Sequence, residues 1–112
     1  MISTHLLDLA TGKPAAGVRV RIYRADPQAG WQRVAEADTD ADGRITELLP
    51  FGMELSAGDW RLRFEVGTYF EARRVDSFYP AVDIYFTVRN ADEHHHVPLL
   101  VSPYGYSTYR GS

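Results

Sequence analysis

With 112 residues the chain has room for one compact unit, and a unit this small leaves much of its surface uncovered, so association of several copies is expected. Hydrophobic residues at 45% and charged residues at 24% exclude a disordered chain and require a core. A net charge of −3 gives no positive field for nucleic acid or anionic membranes, and the absence of cysteine excludes disulfides, thiolate ligands and a thiol nucleophile.

The chain opens Met1-Ile2-Ser3-Thr4-His5, without a basic and apolar leader pattern, and no apolar run is long enough for a bilayer. A soluble, cytoplasmic protein is the expectation. Ile2 to Asp8 is a candidate strand, closed by the turn Thr11-Gly12-Lys13-Pro14. Val18-Arg19-Val20-Arg21-Ile22 alternates apolar and charged residues with period 2, the pattern of a half-buried strand. After Asp26-Pro27-Gln28-Ala29-Gly30 come a weaker candidate, Trp31 to Ala37, the acidic turn Asp40-Ala41-Asp42-Gly43, and a third candidate from Arg44 to Leu48. Trp60 to Val66 and Val82 to Val88 alternate as clearly as the segment from Val18. Between them, Thr68 and Glu71 have capping-box spacing, which predicts a short helix through Arg74. His94 to Val101 and Tyr104 to Arg110 complete the series, separated by the turn at Ser102-Pro103-Tyr104-Gly105. About eight short strands, one short helix and tight connections predict an all-β antiparallel sandwich, with residues 1–112 as a single domain.

His94-His95-His96 is the most conspicuous chemical feature. In a strand, His94 and His96 share one face and His95 takes the other. Such a pair could join His5 in a zinc site, supply a general base, or stand as solvated histidines beside Asp92 and Glu93. His5 alone reads equally as an ordinary edge histidine. Asp38-Thr39-Asp40-Ala41-Asp42-Gly43 imitates the first half of a calcium loop, but its twelfth position is Leu49 where a glutamate is needed, and the flanks read as strands. An acidic hairpin turn is the better reading, with Arg44 as its neighbouring countercharge. No Gly-Xaa-Ser-Xaa-Gly elbow or phosphate loop is present.

The end of the chain goes further. His94-His95-His96-Val97-Pro98-Leu99-Leu100, then Ser102-Pro103-Tyr104-Gly105-Tyr106-Ser107-Thr108 and the final Tyr109-Arg110-Gly111-Ser112 resemble the carboxy-terminal signature of the 5-hydroxyisourate hydrolase family. Thr4-His5-Leu6-Leu7-Asp8, Thr11-Gly12-Lys13-Pro14-Ala15, Thr39 to Arg44 and Phe78-Tyr79-Pro80 are similar to that family's other segments. The likeness is weakest over Asp26 to Glu36 and Glu71 to Asp76, and His95 stands where the family commonly has tyrosine. The resemblance implies a transthyretin-like sandwich, assembled as a homotetramer (dimer of dimers) with its site in a channel between dimers. It implies His5, Arg44 and His96 as the catalytic trio, with His5, Arg44, Tyr109, Arg110, Gly111 and Ser112 around the substrate, and it implies no metal or cofactor. The activity so implied is opening of 5-hydroxyisourate by water, in urate breakdown. Two other classes stay open at this point: a zinc-dependent cyclic amide hydrolase using His5, His94 and His96, and a non-catalytic small-ligand carrier like transthyretin, which lacks the terminal tetrapeptide and the site histidines.

Overall fold

The alternation in the sequence becomes two sheets closed over one core. The computed structural model describes residues 1–112. Its elements are β1 (Ile2–Asp8), β2 (Lys13–Pro14), β3 (Arg19–Asp26), β4 (Gly30–Asp38), β5 (Arg44–Ile45), β6 (Gly58–Phe64), α1 (Val66–Ala72), β7 (Val82–Val88), β8 (His95–His96), β9 (Leu99–Ser102) and β10 (Gly105–Thr108). One sheet runs β4-β3-β6-β7 and is antiparallel throughout. The other runs β10-β9-β1-β2, with β5 and β8 also paired to β1. Here the purely antiparallel expectation is modified, because β1 pairs in parallel with β8 and β9.

Period-2 burial explains how the layers meet. Val20, Ile22, Trp60, Leu62 and Phe64 from one sheet and Ile2, Leu6 and Leu99 from the other have at most 1% of their surface exposed, whereas Arg19 points to solvent. Fully burying a residue of this size contributes about 1.5–3 kcal/mol each, so this cluster is the main source of stability. On the outer face, Arg21 and Arg63 both reach Glu65 at 2.9 Å, and Arg63 also meets Asp83 at 3.2 Å. These half-exposed pairs are worth little and mainly keep that face soluble.

The expected strands are trimmed where backbone chemistry intervenes. Pro98, with no N–H to donate, falls between β8 and β9 and divides the segment from His94 to Val101. The segment from Tyr104 yields β10 over Gly105–Thr108, so Tyr109 and Arg110 lie beyond it. Arg44 to Leu48 pairs only at Arg44–Ile45. The helix begins two residues before Thr68, with Glu65 as a cap that makes no side-chain bond. Val66 is buried, and Gly67 packs so tightly that a β-carbon there would stand 2.6 Å from the Pro80 carbonyl oxygen; tertiary packing, not the capping box, sets this start. No helix is long and apolar enough to cross a membrane.

Candidate functional site

Strand β1 is the spine of the site. Ile2, Thr4 and Leu6 face the core, so Ser3 and His5 occupy the opposite face. On one side β5 is antiparallel to β1 and sets Arg44 directly opposite His5; on the other β8 is parallel and sets His96 opposite Ser3. Register alone therefore gathers His5, Arg44 and His96 on one face, with Arg44 and His96 lining a cleft there and His5 beside Arg44.

The acidic turn fixes Arg44. Asp40 accepts the backbone N–H groups of Asp42 and Arg44 on Oδ1, both at 2.9 Å, and its own N–H donates to the Arg44 carbonyl at 3.0 Å. The carboxylate is thus occupied by the turn itself, in keeping with a hairpin turn rather than a calcium loop. Gly43 is required at its apex: its φ is 74°, and a β-carbon would lie 2.4 Å from the Leu6 carbonyl oxygen. Asp38 is engaged by Arg19, while Arg44 has no ion pair of its own. The countercharge reading of Arg44 fails for that reason, and its guanidinium is left free for a ligand.

Ser3, His94, His96, Arg44, Ile45 and Ser112 are among the residues lining a cleft of about 250 Å³. Ser3 is buried, with its hydroxyl 2.7 Å from Nε2 of His94 and 2.7 Å from Nδ1 of His96. His94 and His96 have ring centres 6.3 Å apart on the same side, while His95 points to the opposite one, is buried, and donates Nδ1–H to the Glu93 carbonyl at 2.9 Å. Partial burial, followed by the nearby charges of His94, His5 and Arg44, lowers the basicity of His96 below the ordinary imidazole value, with Ser3 acting weakly in the other direction. This favours the neutral form of His96, the form able to accept a proton. No group of three His, Cys, Asp or Glu side chains is placed to share a metal ion, and the Ser3 hydroxyl joins His94 to His96.

The tail divides. Gly111 donates its N–H to the His96 carbonyl at 2.8 Å, and Ser112 reaches the cleft. Within one chain, Tyr109 and Arg110 instead line a second, more apolar cleft of about 320 Å³ with Ile84, Phe86, His95 and Val97, and Arg110 pairs with Glu93 at 3.4 Å. A larger cleft of about 660 Å³ lies beside α1 and contains no histidine, so convergence of chemistry rather than volume selects the site. Ser3 is the functional candidate absent from the sequence reading; the available signal was its position two residues before His5, on the same strand face.

The model of the HIUase/transthyretin family matches residues 2–111. This chain belongs to that family. A 5-hydroxyisourate hydrolase of Caulobacter vibrioides is 53% identical over 116 residues, covering 99% of this chain and 97% of that protein. The solved 5-hydroxyisourate hydrolase of Klebsiella pneumoniae superposes with a TM-score of 0.86 at 37% identity, over 99% of this chain and 92% of that one. Transthyretin from Sparus aurata superposes with a TM-score of 0.90 at 26% identity, over 98% and 95%. The sandwich is thus transthyretin-like, and overlap of the fold does not separate the family's two branches.

Proposed function

We propose that this chain hydrolyses 5-hydroxyisourate to 2-oxo-4-hydroxy-4-carboxy-5-ureidoimidazoline, a step in urate breakdown. The observation that carries the reading is the register of β1, which sets His5 against Arg44 and Ser3 against His96 on one strand face, beside a cleft that Ser3, Arg44 and His96 line and His5 borders through Arg44. Similarity at 53% identity to a protein named as this hydrolase, against 26% to transthyretin, favours the enzyme over the carrier. An unpaired guanidinium beside an imidazole of lowered basicity is also a useful arrangement for a carbonyl-rich ring.

In this reading neutral His96 accepts a proton from water as the water oxygen bonds to the electrophilic ring carbonyl carbon. Arg44 receives the developing negative charge in its planar fork of donors. The carbon–nitrogen bond then breaks, and the leaving nitrogen takes back the proton. His5 orients the substrate against Arg44, and Gly111 and Ser112 close the pocket beside His96. Water attack needs no redox group and no cofactor. The site is completed in a homotetramer, a dimer of dimers with the cleft at the interface between dimers. Two features support assembly: β7 and β10 are edge strands with one unpaired side, and Tyr85 and Tyr109 are about three-fifths exposed. Tyr109 and Arg110 would reach substrate only across such an assembly; within one chain they carry Gly111 and Ser112 to His96.

The test is decay of freshly generated 5-hydroxyisourate with catalytic amounts of protein, alongside mass measurement in solution. Decay well above the spontaneous rate, from a tetramer and unchanged by exhaustive chelation, is the expected result. Decay at the spontaneous rate overturns the reading, and activity lost to chelation and restored by zinc overturns its metal-free form.

A further inference from the structure

The two bonds of Ser3 constrain where protons sit. A hydroxyl has one proton, so Ser3 donates to one imidazole and accepts from the other. In one wiring, His96 donates Nδ1–H to Ser3, Ser3 donates to Nε2 of His94, and Nε2 of His96 is left as a bare lone pair. In the reverse wiring, His96 carries Nε2–H and has no basic nitrogen left. Arg44 lines the same cleft, and a cation there attracts a lone pair and repels an N–H dipole. That field favours the first wiring. The backbone of Ser3 is fixed within the sheet, where its carbonyl accepts the Val97 N–H at 2.9 Å, and its buried hydroxyl lies 2.7 Å from each ring.

We propose that Ser3 is a positioning residue that joins His94 and His96 in a proton relay, making Nε2 of His96 the base and His94 the seat of the positive charge. This rests on the hydrolase reading of the same cleft. As water adds, its proton passes to Nε2 of His96, the Nδ1 proton of His96 passes to Ser3 Oγ, and the Ser3 proton passes to Nε2 of His94. His94 already carries Nδ1–H and becomes the imidazolium, while His96 remains neutral. When the carbon–nitrogen bond breaks, the leaving nitrogen takes the proton from Nε2 and the relay runs backwards, so every proton is returned. The benefit is electrostatic. A cation on His96 would be partly desolvated and would face Arg44 and His5, whereas His94 is the more exposed of the two rings within the chain.

The wiring is read by nitrogen-15 NMR of the histidine-labelled protein, and its use by kinetics of Ser3→Ala and Ser3→Thr. The wild-type protein should show His96 protonated at Nδ1 and bare at Nε2 near neutral pH. Ser3→Ala should lose about tenfold in kcat at nearly constant KM, a part of the ~10²–10⁴ that proton transfer supplies. The dependence of its kcat on solvent deuterium fraction should change from curved, for several protons in motion, to linear. Ser3→Thr, which keeps the hydroxyl, should restore both, and equal melting temperatures separate this from a folding defect. His96 found protonated at Nε2, or Ser3→Ala with wild-type kcat and curvature, overturns the relay and leaves the hydrolase intact. The expected tautomer in a protein without turnover supports the wiring and overturns the hydrolase reading.

Discussion

A β-carbon at Gly111 would stand 2.4 Å from Cδ2 of His96, closer than any two such atoms can pack. The backbone of residue 111 is therefore pressed against the edge of the proposed base. Gly111→Ala must move the ring or the tail, and a displacement near 1 Å at a reacting group costs about 10²-fold in rate. Loss of kcat/KM of that order, with a melting temperature close to wild type, is expected. Kinetics and calorimetry on the same preparation check it; an unaffected rate would mean that neither the ring nor the tail takes part in the chemistry.

Arg44→Lys keeps the charge and removes the fork. Because Arg44 has no carboxylate partner in the chain, its value to the site lies in what it offers a ligand. A point ammonium cannot donate two parallel bonds to a flat ring, and loss of a donor to a developing oxyanion costs about 10²–10³ in kcat. Steady-state turnover should fall in that range while the fold holds.

Gly43→Ala tests how Arg44 is presented. A left-handed residue other than glycine costs about 1–3 kcal/mol before the clash with the Leu6 carbonyl is added, so a lower melting temperature is expected together with reduced activity. The pairing of both effects distinguishes this variant from Arg44→Lys, where stability is spared.

The strands follow from periodicity, whereas the proposed trio follows from resemblance. Val82–Val88 is a strand end to end because its alternation coincides with real burial, and Arg19–Asp26 contains most of the segment read from Val18. His5, Arg44 and His96 came from resemblance, since a lone histidine and an arginine after an acidic turn are ambiguous in isolation. Ser3 was not legible. A serine in a strand is commonplace, and its role depends on pairing with residues more than 90 positions away. The capping box at Thr68 misled because it is a local signal, and burial of Val66 outweighs it. Tyr109 and Arg110 were expected at the substrate, but where they come to rest depends on which faces associate, which strand periodicity does not encode.

The depressed basicity of His96 fixes the sign of the pH dependence. Burial and then the neighbouring His94, His5 and Arg44 lower it from the ordinary 6.5, so the neutral, active form persists to lower pH. The acid limb of kcat/KM should fall below 6.5, and NMR titration of His96 in Arg44→Gln should move back towards that value. Stability follows the same sign. Between the lowered value and 6.5 the unfolded chain binds more protons at this position than the folded one, so this contribution is complete above 6.5 and is lost as pH falls through that window. An acid limb above 6.5 would contradict His96 as the base.

Deleting Tyr109 to Ser112 separates enzyme from scaffold most directly. The last strand ends at Thr108, whose hydroxyl donates to the Pro98 carbonyl at 2.7 Å and pins β10 without help from the tail. Beyond it, Tyr109, Arg110 and Ser112 are exposed and contribute little to the core, so the sandwich should melt within a few degrees of wild type. The bridge from Gly111 to His96 is lost, however, and with it the wall that Ser112 gives the cleft. Turnover should disappear even where the tetramer persists. Measuring hydrolysis, solution mass and melting together distinguishes the causes: lost activity in an intact tetramer assigns the tail to the chemistry, and a dissociated tetramer assigns it to assembly. Full activity in the shortened chain would remove Gly111 and Ser112 from the site.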